Sequence, residues 1–441
     1  MTHGSIRAHL IGMAAPIAFG MLFQTLYLLV DLYFVSALGG AAIAGVGSSG
    51  NVGFLVLALT QVLGVGTVAL IAQAVGRKDH TDATLVFNQS LLLALLGVVG
   101  TLLFGYALAP NYVDGIGSDA ATRAAGLAYL RWYLPGLGLQ FAMVGMASAL
   151  RGTGVARPTM VVQIATVLLN TALAPVLIAG WGSGHPLGPA GAGLASSISV
   201  ASGVLLLWLY YRRLEHYIGF DARLWRPQPA VWRRILAIGL PAGGEFLLMF
   251  VMLSFVYWLI RPFGADAQGG YGIGSRIMQA IFLPTMALAF AVAPVAGQNF
   301  GARQFARVRE TFRAATTMGV GLMLAATALC QWRPQALVHV FSTDPAVVAV
   351  GAQYLSIISW NFAAVGLSFS CSGAFQAIGN TVPALLSSAS RLLTFTLPAW
   401  WWAQQRGFEL HDVWYLSVLS VALQALLSVL LLRRQFRQRL A

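Results

Sequence analysis

Between Pro16 and Gly40 the chain reads PIAFGMLFQTLYLLVDLYFVSALGG, an apolar stretch long enough to cross a bilayer, and it carries a carboxylate at Asp31. A charge at such a depth costs about 2.5–3.5 kcal/mol on insertion scales. Gln24 stands seven residues before Asp31 and Tyr27 four before it, so on a helix the three share one face. A polar stripe of this kind belongs against a cavity or a partner helix, and its chemistry is the binding of a proton or small cation. The plain alternative is a satisfied polar group that pins helix packing.

A second acid, Glu245, lies in another apolar run four residues after Pro241. It suits a carboxylate facing a cavity, or one that accepts hydrogen bonds from backbone groups near the proline. Met249 and Met252 follow at i+4 and i+7 on the same helical face. Methionine adapts to varied apolar shapes, although such a stripe also serves ordinary packing. Arg391 is the one basic residue near the middle of an apolar run. It needs a carboxylate, carbonyls or water, and Glu245 is a candidate partner.

The elements that position these groups are transmembrane helices. Of the 441 residues, 58% are hydrophobic and 9% charged, with mean hydropathy +0.76; soluble domains carry about 25% charge. The apolar runs are long and unbroken, which excludes a β-barrel. Twelve spans are expected, at 11–37, 52–74, 84–108, 126–149, 158–180, 188–211, 234–260, 272–297, 313–331, 349–374, 382–403 and 413–432. Only Asp31 and Glu245 of the 13 acidic residues fall inside them. Alternate loops and the two termini hold 19 of the 26 basic residues, which places those loops and both termini in the cytoplasm. The net charge of +13 is therefore topogenic and implies membrane lipid, not nucleic acid, as the neighbour. Cys330 and Cys371 read as buried thiols. No histidine cluster, metal-ligand spacing or phosphate-cradling loop is present, so neither an enzyme nor an ATP-driven pump is expected, and no cofactor.

The chain also repeats itself. Shifting it by 225 residues superposes Pro16 on Pro241, Gly45 on Gly270, Gln73 on Gln298, Gly126 on Gly351, Gly154 on Gly379 and Pro158 on Pro383 without a gap. These punctuate backbone geometry. The expected architecture is all-α and polytopic, with twelve transmembrane helices in two parallel six-helix repeats. Residues 1–211 form an amino-terminal lobe, 212–233 a cytoplasmic linker and 234–441 a carboxy-terminal lobe. The linker is rich in Arg and Trp and suits the membrane surface. Asp31 maps onto Val256 and Glu245 onto Gly20, so the two acids are not duplicates of one site.

The motifs resemble those of the multidrug and toxic compound extrusion (MATE) family over nearly the whole chain. QTLYLLVDLYFVSALG resembles its opening helix, VALIAQAVGR and APVAGQNFGA the ends of its second and eighth helices, ALRGTGVARPTM and FQAIGNTVPA its paired loops, and GLPAGGEF the start of its seventh helix. The resemblance implies export of organic cations and other amphipathic small molecules by alternating access, as an antiporter driven by H+ or Na+. It implies an integral protein of the cell (inner) membrane, here expected to be a monomer. Pro16 matches a kink in the first helix, with Pro241 at the repeat position. Asp31 matches the carboxylate that takes the coupling ion, Gln24 a polar neighbour, Asn170 a polar member of that site and Ser196 an expected hydroxyl. Many relatives place an acid before the helix-five proline, whereas this chain reads Ala174-Pro175. Sodium at Asp31 and Asn170 would then have fewer oxygen ligands, which favours a proton. The rival readings are a flippase for lipid-linked sugars, which wants a wide basic groove, and a membrane-embedded transferase, which wants intramembrane histidines or metal ligands.

Overall fold

A computed structural model describes residues 1–117, 119–182, 184–215, 217–405 and 407–440, with the side chains of 27–29, 31, 32 and 116 outside that set. Helices follow one another in the order α1 (Ile6–Ser36), α2 (Gly40–Gly50), α3 (Val52–Gly76), α4 (His80–Ile116), α5 (Ala120–Thr153), α6 (Arg157–Ile178) and α7 (Pro189–Arg213). The second half holds α8 (Pro229–Ile260), α9 (Ala265–Gly301), α10 (Phe305–Trp332), α11 (Pro334–His339), α12 (Pro345–Ile358), α13 (Phe362–Ala377), α14 (Val382–Trp402) and α15 (Leu410–Arg439). Among the described residues eleven helical segments are long and apolar enough to cross a membrane. The twelfth, α14, is 21 residues long and less apolar because it carries Arg391 and several hydroxyls.

The duplication is written into the backbone. α2, α4, α5 and α6 begin 225 residues before α9, α10, α12 and α14 respectively. Lys78 (φ 60°) and Arg303 (φ 57°), also 225 apart, are the two described non-glycine residues with positive φ. The same close approach recurs in each half. A Cβ on Gly45 would lie 2.8 Å from the Gly126 nitrogen, and one on Gly270 would lie 2.9 Å from the Gly351 nitrogen. Only glycine lets these helix backbones meet so closely.

The second span begins earlier than expected. Four of the eleven residues of α2 are glycine, a composition that disfavours a helix. Its small residues form one nevertheless, with Gly45 packed on α5. Proline accounts for another break: Pro334 opens α11 where α10 would otherwise run on. In α5, Pro135 removes the donor for the Arg131 carbonyl, and the Tyr106 hydroxyl donates to that carbonyl at 2.8 Å. One residue on, Ser197 Oγ of α7 donates to the Trp132 carbonyl and accepts from the Gly136 N–H. The hydroxyl thus stands in the helix ladder of α5.

The chain packs as two compact units, Met1–Ala18 with Gly244–Ala441, and Phe19–Gly243. They differ from the sequence halves in where they begin. The first turns of α1 pack with the carboxy-terminal helices, and the opening of α8 packs with the amino-terminal ones. Each changeover falls two residues past a proline, Pro16 in α1 and Pro241 in α8. In the amino-terminal unit the core gathers Phe87, Leu134, Leu137 and Ile71. In the other it gathers Phe362, Phe395, Tyr354 and Trp414. Cys330 and Cys371 are buried.

The linker is not a free surface segment. Asn88 and Gln89 of α4 are fully buried and need hydrogen-bond partners; Asn88 Nδ2 donates to the Thr84 carbonyl of its own helix at 2.9 Å, and the remaining bonds go to the linker. Asn88 Nδ2 also donates to the Gly219 carbonyl at 2.9 Å, while its Oδ1 accepts from Asp221 N at 3.1 Å and Trp225 Nε1 at 2.9 Å. Gln89 Nε2 donates to the carbonyls of Leu224 (2.7 Å) and Arg226 (2.8 Å), and Gln89 Oε1 accepts from Gln228 N at 3.0 Å. Next to this latch, Arg234 of α8 grips Asp82 of α4 with two hydrogen bonds of 2.9 and 3.0 Å.

Candidate functional site

In the amino-terminal unit, Gln24 is exposed on α1. Tyr27 and Asp31 belong to the same helix, and their side chains lie outside the described residues. Asn170 of α6 and Ser196 of α7 are both buried, as is Ala174, the position without the second acid. Buried polar side chains in two neighbouring helices are held for their hydrogen bonds, since unsatisfied ones are costly in an apolar medium.

In the carboxy-terminal unit, Glu245 of α8 is half-buried. Its two oxygens accept from serine hydroxyls on different helices, Oε2 from Ser372 of α13 at 3.0 Å and Oε1 from Ser388 of α14 at 3.3 Å. Gln424 Nε2 of α15 donates in turn to Ser388 Oγ at 3.3 Å. The expected alternative of backbone donors near Pro241 is not what meets the carboxylate. Each carboxylate oxygen has a second lone pair left, so the group can still take a proton or a cation.

Arg391 does not pair with Glu245: no ion pair joins them among the described residues. It lies instead within electrostatic range of the Tyr271 and Tyr354 hydroxyls. Those rings belong to an aromatic cluster. Tyr271 stacks on Trp414 at 5.6 Å, and Tyr354 meets Trp414 edge-on at 4.8 Å. Met252 is buried in the carboxy-terminal core, whereas Met249 is exposed, so the two are not brought to one lining.

The structure thus joins Glu245 to Ser372, Ser388 and Gln424, none of which stood out in the sequence. Their signal was weak because single serines in apolar helices usually bond to their own backbone. Ser387, next to Ser388, does so with Ala384.

The sequence profile of the MatE family matches residues 16–176 and again residues 241–401. The chain belongs to the MatE family. The two matched stretches are equal in length and 225 residues apart, the offset already seen in the helix starts. MatE proteins are transporters rather than enzymes, and this chain is an integral membrane member. Among curated relatives it is 26% identical over 385 residues to a probable multidrug resistance protein, YoeA, of Bacillus subtilis (strain 168), covering 84% of this chain and 81% of that one. It is 26% identical over 405 residues to the probable multidrug resistance protein NorM of Thermotoga maritima, covering 89% and 84%. Its fold matches a crystal structure of MATE in complex with MaL6 at a TM-score of 0.92, with 24% identity, covering 99% of this chain and 98% of that one. That likeness establishes the two-repeat MATE fold.

Proposed function

We propose that this MatE protein is a multidrug efflux antiporter. It exports cationic and amphipathic small molecules across the cell (inner) membrane by alternating access, in exchange for protons in preference to sodium ions. The observation that carries the reading is the double family match over both halves, in a chain whose relatives are named for multidrug resistance. Asp31 is assigned the coupling proton, with Gln24, Tyr27, Asn170 and Ser196 as its surroundings. Ala174 in place of a second acid supports a proton, which needs one carboxylate, over sodium, which needs several oxygens. Glu245 is assigned to cationic cargo or a second proton. The protein acts as a monomer with both termini in the cytoplasm.

Mechanistically, protonation of Asp31 from outside removes a charge from α1 and favours one arrangement of the two units over the other. The shift can be no larger than the difference in proton affinity between those arrangements. Pro16 and Pro241 are assigned the bends of α1 and α8, because the compact units change over just beyond them.

The test is dye efflux from liposomes under an imposed pH or sodium gradient, with wild type, Asp31→Asn and Glu245→Gln. Wild type should respond to the pH gradient and Asp31→Asn should not. Full coupling by Asp31→Asn would sink the assignment, and transport driven by sodium alone would replace the proton.

A further inference from the structure

Arg391 stands near the middle of α14, and among the described residues no side-chain hydrogen bond or ion pair engages it. Its Nε is sealed from solvent and has no partner. A guanidinium keeps its charge, offers five N–H donors and accepts nothing, so its natural complement is an anion. Among the described residues no carboxylate forms an ion pair with it. Tyr271 and Tyr354 lie in electrostatic range as neutral phenols, and the Tyr354 hydroxyl is already directed to Met278 Sδ at 3.5 Å. Trp414, packed on both rings, buries a second N–H donor without a partner. Glu245 of α8 meets α14 at Ser388, which lies three residues before Arg391 on the same face of that helix. Glu245 spends a lone pair of each oxygen on serine hydroxyls instead of on the guanidinium. The anchor of the acid, Ser388, and the base, Arg391, thus stand about one helical turn apart along α14, and acid and base are each left with binding capacity.

We infer that Arg391 is a specificity-determining residue that receives the carboxylate of amphoteric solutes, those carrying a cationic group and a carboxylate together, while Glu245 meets the cationic group. The inference rests on the export reading for its source of solute. An Arg–carboxylate contact is charge-assisted and commonly two-pronged, which makes it selective as well as strong. A lipid phosphate shares the anionic chemistry and is separated from a solute carboxylate in the test.

The probes are rhodamine B, a zwitterion, and its ethyl ester, which lacks the carboxylate and is otherwise the same dye. Binding is followed by fluorescence polarisation on full-length protein in nanodiscs, so no gradient is involved. Wild type should favour rhodamine B over the ester. Arg391→Gln should reduce that preference about tenfold, and Arg391→Lys should recover part of it, since lysine keeps the charge but not the fork. The ester serves as the folding control, because a misfolded variant loses both dyes together and leaves Arg391→Lys to decide. Glu245→Gln should weaken both dyes. An unchanged preference in Arg391→Gln, or a wild type that binds neither dye, overturns the assignment. The preference should also be equal in phosphatidylcholine discs with and without phosphatidylglycerol. Its loss with the anionic lipid would show a lipid phosphate at Arg391 and overturn the solute reading. Efflux of both dyes from liposomes separates the two claims: an Arg391-dependent preference without efflux sinks export and keeps this site, and efflux without the preference does the reverse.

Discussion

Ser372 Oγ lies 3.0 Å from Glu245 Oε2, so a hydroxyl of α13 holds a carboxylate of α8. Ser388 of α14 holds its other oxygen at 3.3 Å, and three helices meet at one acid. A hydrogen bond to a charged group contributes about 1.5–3 kcal/mol. Ser372→Ala should therefore lower the unfolding midpoint of the purified protein, and Ser372→Ala with Ser388→Ala should lower it further and slow dye efflux. Thermal unfolding in detergent reads the first effect and liposome efflux the second. A double variant with wild-type values in both would mean that the serines do nothing for Glu245.

Asn88 carries three bonds to the linker, to Gly219, Asp221 and Trp225. Asn88→Ala strands these groups, at a cost of about 1–3 kcal/mol for each that stays buried. The linker between residues 215 and 228 should then become more accessible to protease. Limited trypsin digestion, aimed at Arg223 and Arg226, is the measurement. Asn88→Asp should be nearly as harmful, because it keeps the acceptor for Trp225 Nε1 and loses the donor for Gly219.

The repeat-related glycine contacts make a matched pair of predictions. A Cβ on Gly45 meets the Thr122 carbonyl oxygen at 2.6 Å, and one on Gly270 meets the Val350 side chain at 2.6 Å. Gly45→Ala and Gly270→Ala should each destabilise by about 1–3 kcal/mol through overpacking. Gly47, on the same helix as Gly45, has open space around its Cβ direction. Gly47→Ala should be neutral or stabilise by about 0.5–1 kcal/mol, because alanine suits a helix better. Equal behaviour of Gly45→Ala and Gly47→Ala would refute the close approach of α2 to α5.

The charge distribution predicts topology. With the buried Cys330 and Cys371 replaced by serine, Arg226→Cys and Gln405→Cys place single thiols at exposed positions that the basic-loop pattern assigns to opposite sides of the membrane. A membrane-impermeant maleimide should label Gln405→Cys in intact cells and Arg226→Cys only after lysis. The opposite pattern would invert the orientation inferred from the basic loops.

Much of the fold was legible in the chain itself, for a definite reason. Apolar runs must satisfy their own backbone in a bilayer, so length and hydropathy alone call for helices. Glycine and proline mark backbone events at fixed positions, so the 225-residue offset that relates Pro16 to Pro241 reappears in the starts of four helices. Where small residues pack tightly, as in α2, the expected span began only at residue 52, because packing on another helix is not a local property.

What the sequence by itself determined was the class of the protein, the duplication, the family, and the two acids and one arginine set in apolar surroundings. Only the tertiary structure decided their company. Glu245 takes serines from α13 and α14 instead of Arg391, and among the described residues no ion pair engages Arg391. The linker, polar and proline-bearing, is latched to α4 because the buried amides of Asn88 and Gln89 have more hydrogen-bonding capacity than their own helix uses, and spend it on linker backbone. Periodicity along one helix states which side chains share a face, whereas the identity of what they meet depends on contacts between residues far apart in the chain. Glu245 and Ser372 are separated by 127 positions.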